Sequence, residues 1–208
     1  MKEELPGSTE HTRGTTMRTT IRTRINYGKL GHLTCYSGPP NSGLTLASVI
    51  HVCKLHKLDP SRQVISNTHL TKIPYKPFSI FELDQYTHSI IFIDYIHSLV
   101  DSRTSEQTIS QAITKFMQAL RAWDCIVVMN APNHVLIHEP IRRQITDIFR
   151  PTYYQNKRGT PYLKLFKLPN PLKENYQIAY KPIRVRKYFK HSNTREVFNP
   201  FISKWQHV

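Results

Sequence analysis

Acidic residues are scarce in this chain. Fourteen Asp and Glu stand against 29 Lys and Arg over 208 residues, a formal charge of +15. A field of that sign and size favours polyanionic partners, either nucleic acid or an anionic membrane. Long hydrophobic runs are also missing. Runs such as SIIFI, residues 89–93, and CIVVM, residues 125–129, fall far short of a membrane span. The opening stretch MKEELPGSTEHTRG has no apolar centre, so no secretory signal is expected there. Cysteine is limited to Cys35, Cys53 and Cys125. All three sit in apolar contexts without metal-ligand spacing, which reads as reduced, buried thiols in an intracellular, cytoplasmic protein. The eleven histidines are scattered, and His51 and His56 do not have a zinc spacing, so no histidine metal site is expected.

What is present divides by position. Residues 1–28 are Thr/Arg-rich around HTRGTTMRTTIRTR and read as a flexible basic tail. From residue 29 to 150 apolar strands alternate with helical patterns. HLTCYS, RQVISN, HSIIFID and CIVVMNA read as strands. TLASVIHVCKLHKL and SEQTISQAITKFMQALRAW read as helices, the latter with Ile109, Ile113, Phe116, Met117 and Leu120 on one stripe. EPIRRQITDIF reads as a further helix opened by Pro140. Strands alternating with helices imply a mainly parallel sheet covered on both faces, an α/β fold. Residues 151–208 carry alternating stretches such as PYLKLFKL and YKPIRVRKYF, expected as antiparallel strands completing the same domain. From Ile148 onward thirteen Lys and Arg face two acids, so the positive charge is concentrated at the two ends of the chain.

The stretch TCYSGPPNSGLTLASVI, residues 34–50, has the layout of strand, phosphate-binding loop and helix. The pattern of such a loop is G-x-x-x-x-G-K-[ST]. Gly38, Gly43 and Thr45 fall in register, but Leu44 stands where the pattern has lysine. Ligands of parallel α/β sheets sit at the carboxyl ends of strands. Three features fall there: the loop Gly38, Pro39, Pro40, Asn41, Ser42, Gly43, Leu44 and Thr45; Asp94 at the end of its strand; and MNAPNH, residues 129–134. Loop amides and a helix N-terminus suit phosphate oxygens. The Thr45 hydroxyl suits Mg²⁺, with Asp94 anchoring the ion through water.

The run from IIFID through ITDIF, residues 90–149, resembles the FtsK–HerA superfamily of DNA-pumping ATPases. It is most similar to the virus-type genome-packaging branch and the related zonula-occludens-toxin-like ATPases. The counterparts are Asp94, the DSR at 101–103, the LR at 120–121, MNAPN at 129–133 and IRRQITD at 141–147, with a late element in KYFKHSNTREVFNP. The resemblance covers about residues 30–200. It implies a P-loop NTPase-like fold of RecA/FtsK type, ATP and Mg²⁺ as cofactors, and a homo- or hetero-oligomer. Asp94, Asn130, Arg142 and Arg143 are its candidate catalytic residues, the two arginines as fingers reaching a neighbouring subunit or as plain surface charge.

The departures are as informative. Leu44 replaces the lysine, Tyr95 replaces the water-polarising glutamate, the sensor glutamine has only Asn130 or Asn133 nearby, and Asn193 replaces an aspartate. Losing one transition-state charge contact costs about 10²–10³ in rate. Of the lysines that could substitute, Lys72 is the first suspect, while Lys29 and Lys54 lie at the wrong end of the sheet or point away. The expectation is a degenerate packaging-type ATPase with weak or absent hydrolysis. Nucleic acid, and DNA in particular, is the expected partner. Arg18, Arg22, Arg24, Arg150, Lys157, Arg158, Arg184, Arg186 and Lys187 are the expected contacts, because cations interleaved with tyrosines suit phosphates and bases. The alternative is a non-enzymatic DNA-binding or virion-associated protein that keeps the fold as scaffold, in the host cytoplasm or the virion.

Overall fold

A computed structural model describes residues 18–22, 31–99, 107–168 and 176–189. In chain order the elements are β1 (Arg18–Arg22), β2 (Leu33–Ser37), α1 (Leu44–Leu58), β3 (Gln63–Ser66), β4 (Lys76–Pro77), β5 (Ser89–Ile93), α2 (Ile96–Leu99), α3 (Gln107–Ala119), β6 (Ile126–Ala131), α4 (Glu139–Arg142), β7 (Asp147–Gln155), β8 (Pro161–Lys167), β9 (Tyr176–Tyr180) and β10 (Ile183–Arg184). Short 3-10 turns cover Ile80–Gln85 and His134–Leu136.

All the strands join one sheet, ordered β1-β9-β8-β7-β2-β6-β5-β3-β4, with β10 against β8. From β7 to β4 every pairing is parallel. The strand that feeds the loop, β2, is separated from the strand that ends at Asp94, β5, by β6 alone. The loop, Asp94 and the end of β6 therefore emerge side by side.

Period-two alternation builds a core on each face. Ile90 and Phe92 of β5, with Ile126 and Val128 of β6, point to the α1 side. Ile91 and Ile93, with Val127, Met129 and Ala131, point to the α3 side, where Ile113, Phe116, Met117 and Leu120 meet them. Strands apolar at every position are what two covered faces require. Each such Ile or Phe contributes roughly 1.5–3 kcal/mol by burial.

The C-terminal additions are antiparallel: β7 with β8, β8 with β9, and β10 with β8. The structure differs from the sequence reading in three places. Arg18–Arg22, inside the segment expected as a tail, is a strand parallel to β9; its Thr-Thr-Ile centre is β-branched and suits a strand. The helix expected from Pro140 through Phe149 is one turn, Glu139–Arg142. The Thr146 N–H donates to Leu33 O (2.8 Å) and Asp147 opens β7 against β2, so pairing with an open sheet edge overrides the helical spacing. β7 also runs across the boundary expected at residue 150.

Candidate functional site

β2 delivers the chain into a tight loop. The Ser42 N–H donates to Pro39 O (3.2 Å), and Asn41 has φ 63°, a left-handed conformation that asparagine tolerates. Gly43 has φ 89°, and a Cβ there would come within 2.8 Å of Leu163 Cδ1 of β8. Glycine is thus required twice over, by backbone and by the hairpin packed on it. α1 begins at Leu44 with no side-chain cap and no acid in its first turn. Its first amides lack partners within the helix, and no acid of its own first turn faces its dipole. The Ser42 hydroxyl is buried without a hydrogen-bond partner.

Asp94 is the centre of the polar network. Thr45 Oγ1 donates to Asp94 Oδ1 (3.1 Å), and Asn130 Nδ2 donates to the same oxygen. Asn130 is fully buried, and its Oδ1 accepts the Tyr95 N–H (2.8 Å). Asn67, at the end of β3, clamps the Asp94 backbone on both sides: the Asp94 N–H donates to Asn67 Oδ1 (2.7 Å) and Asn67 Nδ2 donates to Asp94 O (2.8 Å). Burial pushes the Asp94 pKa up, and the bonds from Asn130 and Thr45 only partly oppose it. Among the described residues no Lys, Arg or His forms an ion pair with Asp94.

Leu44 and Tyr95, the two expected departures, both stand at the loop. Leu44 is 7% exposed and belongs to the α1-side core together with Leu163, Leu165 and Tyr180. Tyr95 has φ 55°, which costs a bulky residue on the order of 1–3 kcal/mol. Its ring lies 5.6 Å from that of His97. Tyr95, Leu44, Thr45, Tyr153 and Phe189 are among the residues lining a cleft of about 390 Å³ beside the loop.

The other expected residues separate. Asn133 caps the 3-10 turn by accepting from Val135 N–H (3.0 Å), so of the two asparagines only Asn130 meets Asp94. Arg142 Nη1 donates to Val135 O (2.7 Å), and Arg143 pairs with Glu139 on the surface. Arg150 stands beside the loop: its Cγ is 3.8 Å from where a Gly38 Cβ would be. Lys157 and Arg158 are exposed in the β7–β8 turn. Arg184, Arg186 and Lys187 line a second cleft. Lys72 is exposed. Arg18 and Arg22 are on β1, and their side chains, like Arg24, residues 101–103 and Asn193, lie outside what is described. Among the described residues no group of His, Cys, Asp or Glu could hold a metal as a cluster, and no helix is long and apolar enough to cross a membrane.

Asn67, Ser48 and Leu163 went unseen in the sequence. Ser48 Oγ donates to Leu44 O (3.1 Å) and receives Asn130 Nδ2 at 3.4 Å. A polar residue directly after a strand was the one available signal for Asn67.

A loop of this shape, an acid at the next-but-one strand end and an asparagine between them belong to a P-loop NTPase-like fold. Solved structures of two proteins carry that likeness. The N-terminal domain of zonular occludens toxin from Neisseria meningitidis is 15% identical, covers 79% of this chain and all of its own, with a TM-score of 0.58. The genome-packaging NTPase B204 from Sulfolobus turreted icosahedral virus 2, in complex with AMPPCP, is 11% identical, covers 73% of this chain and 98% of its own, with a TM-score of 0.53; its complex with ATP-gammaS scores 0.52. No family model matches the sequence, and no curated protein matches it.

Proposed function

We propose that this chain is a degenerate relative of DNA-translocating, genome-packaging ATPases that binds a nucleoside triphosphate and nucleic acid and hydrolyses the triphosphate weakly or not at all. One observation carries the reading. The residues that would hold phosphate and metal are assembled, while the residues that would drive hydrolysis are replaced by a core leucine and a tyrosine.

The residues fit the ligand. The buried, unpartnered Ser42 hydroxyl and the uncapped start of α1 would receive phosphate oxygens. Thr45 and Asp94 would supply oxygen ligands to Mg²⁺, which keeps several waters in such sites. Bound Mg²⁺ would neutralise phosphate charge, and a cation there would also relieve the buried Asp94 carboxylate. Asn130 positions Asp94 and holds the Tyr95 amide. Tyr95 offers a phenol where a carboxylate would orient water, and Leu44 cannot bond phosphate. Oligomerisation, homomeric or with an active paralogue, belongs to this reading and draws on the packaging NTPase's likeness.

The test is binding of a fluorescent ATP analogue to the full chain with and without Mg²⁺, beside a steady-state hydrolysis assay. Mg²⁺-dependent binding that Asp94→Ala removes, with hydrolysis at background, is expected. Robust hydrolysis abolished by Asp94→Ala overturns the loss of activity. Binding of neither nucleotide nor Mg²⁺ favours the scaffold alternative, to which the buried Leu44 already lends weight. Nucleic-acid binding should be largely electrostatic, weakly sequence-selective and steeply weakened by salt.

A further inference from the structure

A second cleft, of about 640 Å³, lies on the flank of α1, and its lining shares no residue with the cleft at the loop. Four of its lining residues are cations: Lys54 of α1, and Arg184, Arg186 and Lys187 that follow β9; Ile183 and Tyr188 complete the wall. The segment that carries the last three cations is fixed in place. Ile183 pairs with Leu163 of β8. Val185 is fully buried, and its N–H donates to Pro161 O (3.2 Å). The Tyr188 N–H returns to Val185 O (2.8 Å).

Among the described residues no carboxylate pairs with Arg184, Arg186 or Lys187. Lys54 is half-buried. Its pKa is lowered, first by burial and then by the Lys187 charge. Four like charges around one cleft repel one another and favour an anion between them. Simple surface charge would spread out; here a buried valine and a strand pairing hold the cations together.

We infer that this cleft binds the sugar–phosphate backbone of a nucleic acid, with Lys54, Arg184, Arg186 and Lys187 pairing with its phosphates and Tyr188 offering an apolar face. This rests on the nucleic-acid half of the proposed function and gives it a place apart from the phosphate loop. The ring of Lys187's neighbour is already a cation partner: Lys187 Nζ lies 5.1 Å from the Tyr188 ring centroid. A base or sugar packed on that ring would meet charge and apolar surface together.

The experiment measures fluorescence anisotropy of labelled single- and double-stranded DNA with the full chain, across salt. Lys54→Gln with Lys187→Gln is compared with Lys115→Gln plus Arg121→Gln, an equal loss of charge at exposed positions late in α3 and in the turn that follows it. The cleft variant is expected to bind roughly 10-fold or more weakly, with a salt slope shallower by about one to two, while the α3 variant shifts affinity by less than about 3-fold. Arg184→Gln plus Arg186→Gln, both at exposed positions, should reproduce the cleft effect if the first variant folds poorly. Equal losses in cleft and α3 variants overturn the site, leaving only overall charge. No binding by the unmodified chain even at low salt overturns the nucleic-acid reading itself. Tripolyphosphate binding that the cleft variant loses, without DNA binding, reassigns the cleft to free polyphosphates and also overturns the proposal.

Discussion

The two ends of the parallel sheet carry similar residues in opposite states. At the amino end Arg62, which is 8% exposed, bonds Asp59 (3.0 Å) and Asp124 (2.8 Å) and also reaches Asp124 O (2.6 Å). His88 joins from before β5 through Asp124 and Ser61. These bonds hold both carboxylates below the usual range: for Asp59 the Ser61 hydroxyl is the largest cause, and for Asp124 it is the Arg62 guanidinium. At the carboxyl end the same three strands finish in Asn67, Asp94 and Asn130, where burial raises the Asp94 pKa and no described cation pairs with it. One network is electrically closed and serves stability. The other pairs with no described cation, which is the state that the proposed function needs of a metal-holding carboxylate.

The largest expected effect breaks the open end. Asp94→Ala should weaken Mg²⁺-dependent nucleotide binding by about 10²-fold or more, since even outer partners of metal ligands are worth about 10–100-fold. Denaturant unfolding should show stability unchanged or raised, because an uncompensated buried charge is removed. A large stability loss instead would make Asp94 a structural residue like Asp124.

The closed end should respond the other way. Arg62→Ala should cost about 2–3 kcal/mol in urea unfolding, as two carboxylates and a carbonyl lose their donor, and should leave nucleotide binding unchanged. A loss under about 0.5 kcal/mol would show that solvent already screens the clasp.

Acidification separates the ends within one protein. The folded state binds the Asp94 proton more readily than the unfolded chain does. Stability should therefore rise as pH falls through that raised value toward the ordinary carboxylate value near 3.9. Asp59 and Asp124 have lowered values, so their contribution is full above about pH 4 and is lost as pH falls through them. Urea midpoints against pH should show a rise and then a fall. Asp94→Asn should erase the rise, and Asp124→Asn should blunt the fall; the reverse assignment would refute the comparison.

The smallest effect is expected at Arg143→Ala. Its pair with Glu139 is an exposed i,i+4 contact, so stability should change by about 0.5 kcal/mol or less. A loss above about 1 kcal/mol would show the pair to be more than a surface contact, and a loss of residual hydrolysis only in assembled protein would restore the arginine-finger reading.

The strands of the parallel core were legible because a strand buried on both faces must be largely apolar, and β5 and β6 are, apart from Ser89 and Asn130. The meeting of Thr45 with Asp94 was legible because the loop pattern has fixed spacing and an acid directly after an apolar strand falls at the same edge of a parallel sheet. Asn67 was not, because one asparagine after a strand has no period to betray it. The choice of Asn130 over Asn133 depended on which one points between β2 and β5. The start of β7, residues 147–149, was misread as helix because Ile141, Ile145, Ile148 and Phe149 keep helical spacing, while the free edge of β2 lies more than a hundred residues earlier in the chain.

By itself, then, the sequence set what depends on near neighbours. It determined the α/β alternation, the loop glycines, the charge at the chain ends and the departure of Leu44 from the phosphate-loop pattern. Backbone conformation and burial period act over a few residues, so they are written locally. Tertiary structure alone decided that Leu44 joins one core with Leu163 and that, among the described residues, Asp124 pairs with a cation while Asp94 does not. It also brought Lys54 into one cleft with Lys187. Each of these is a meeting of residues far apart in the chain, fixed by the order in which strands pair, and low-dielectric electrostatics follows from that order.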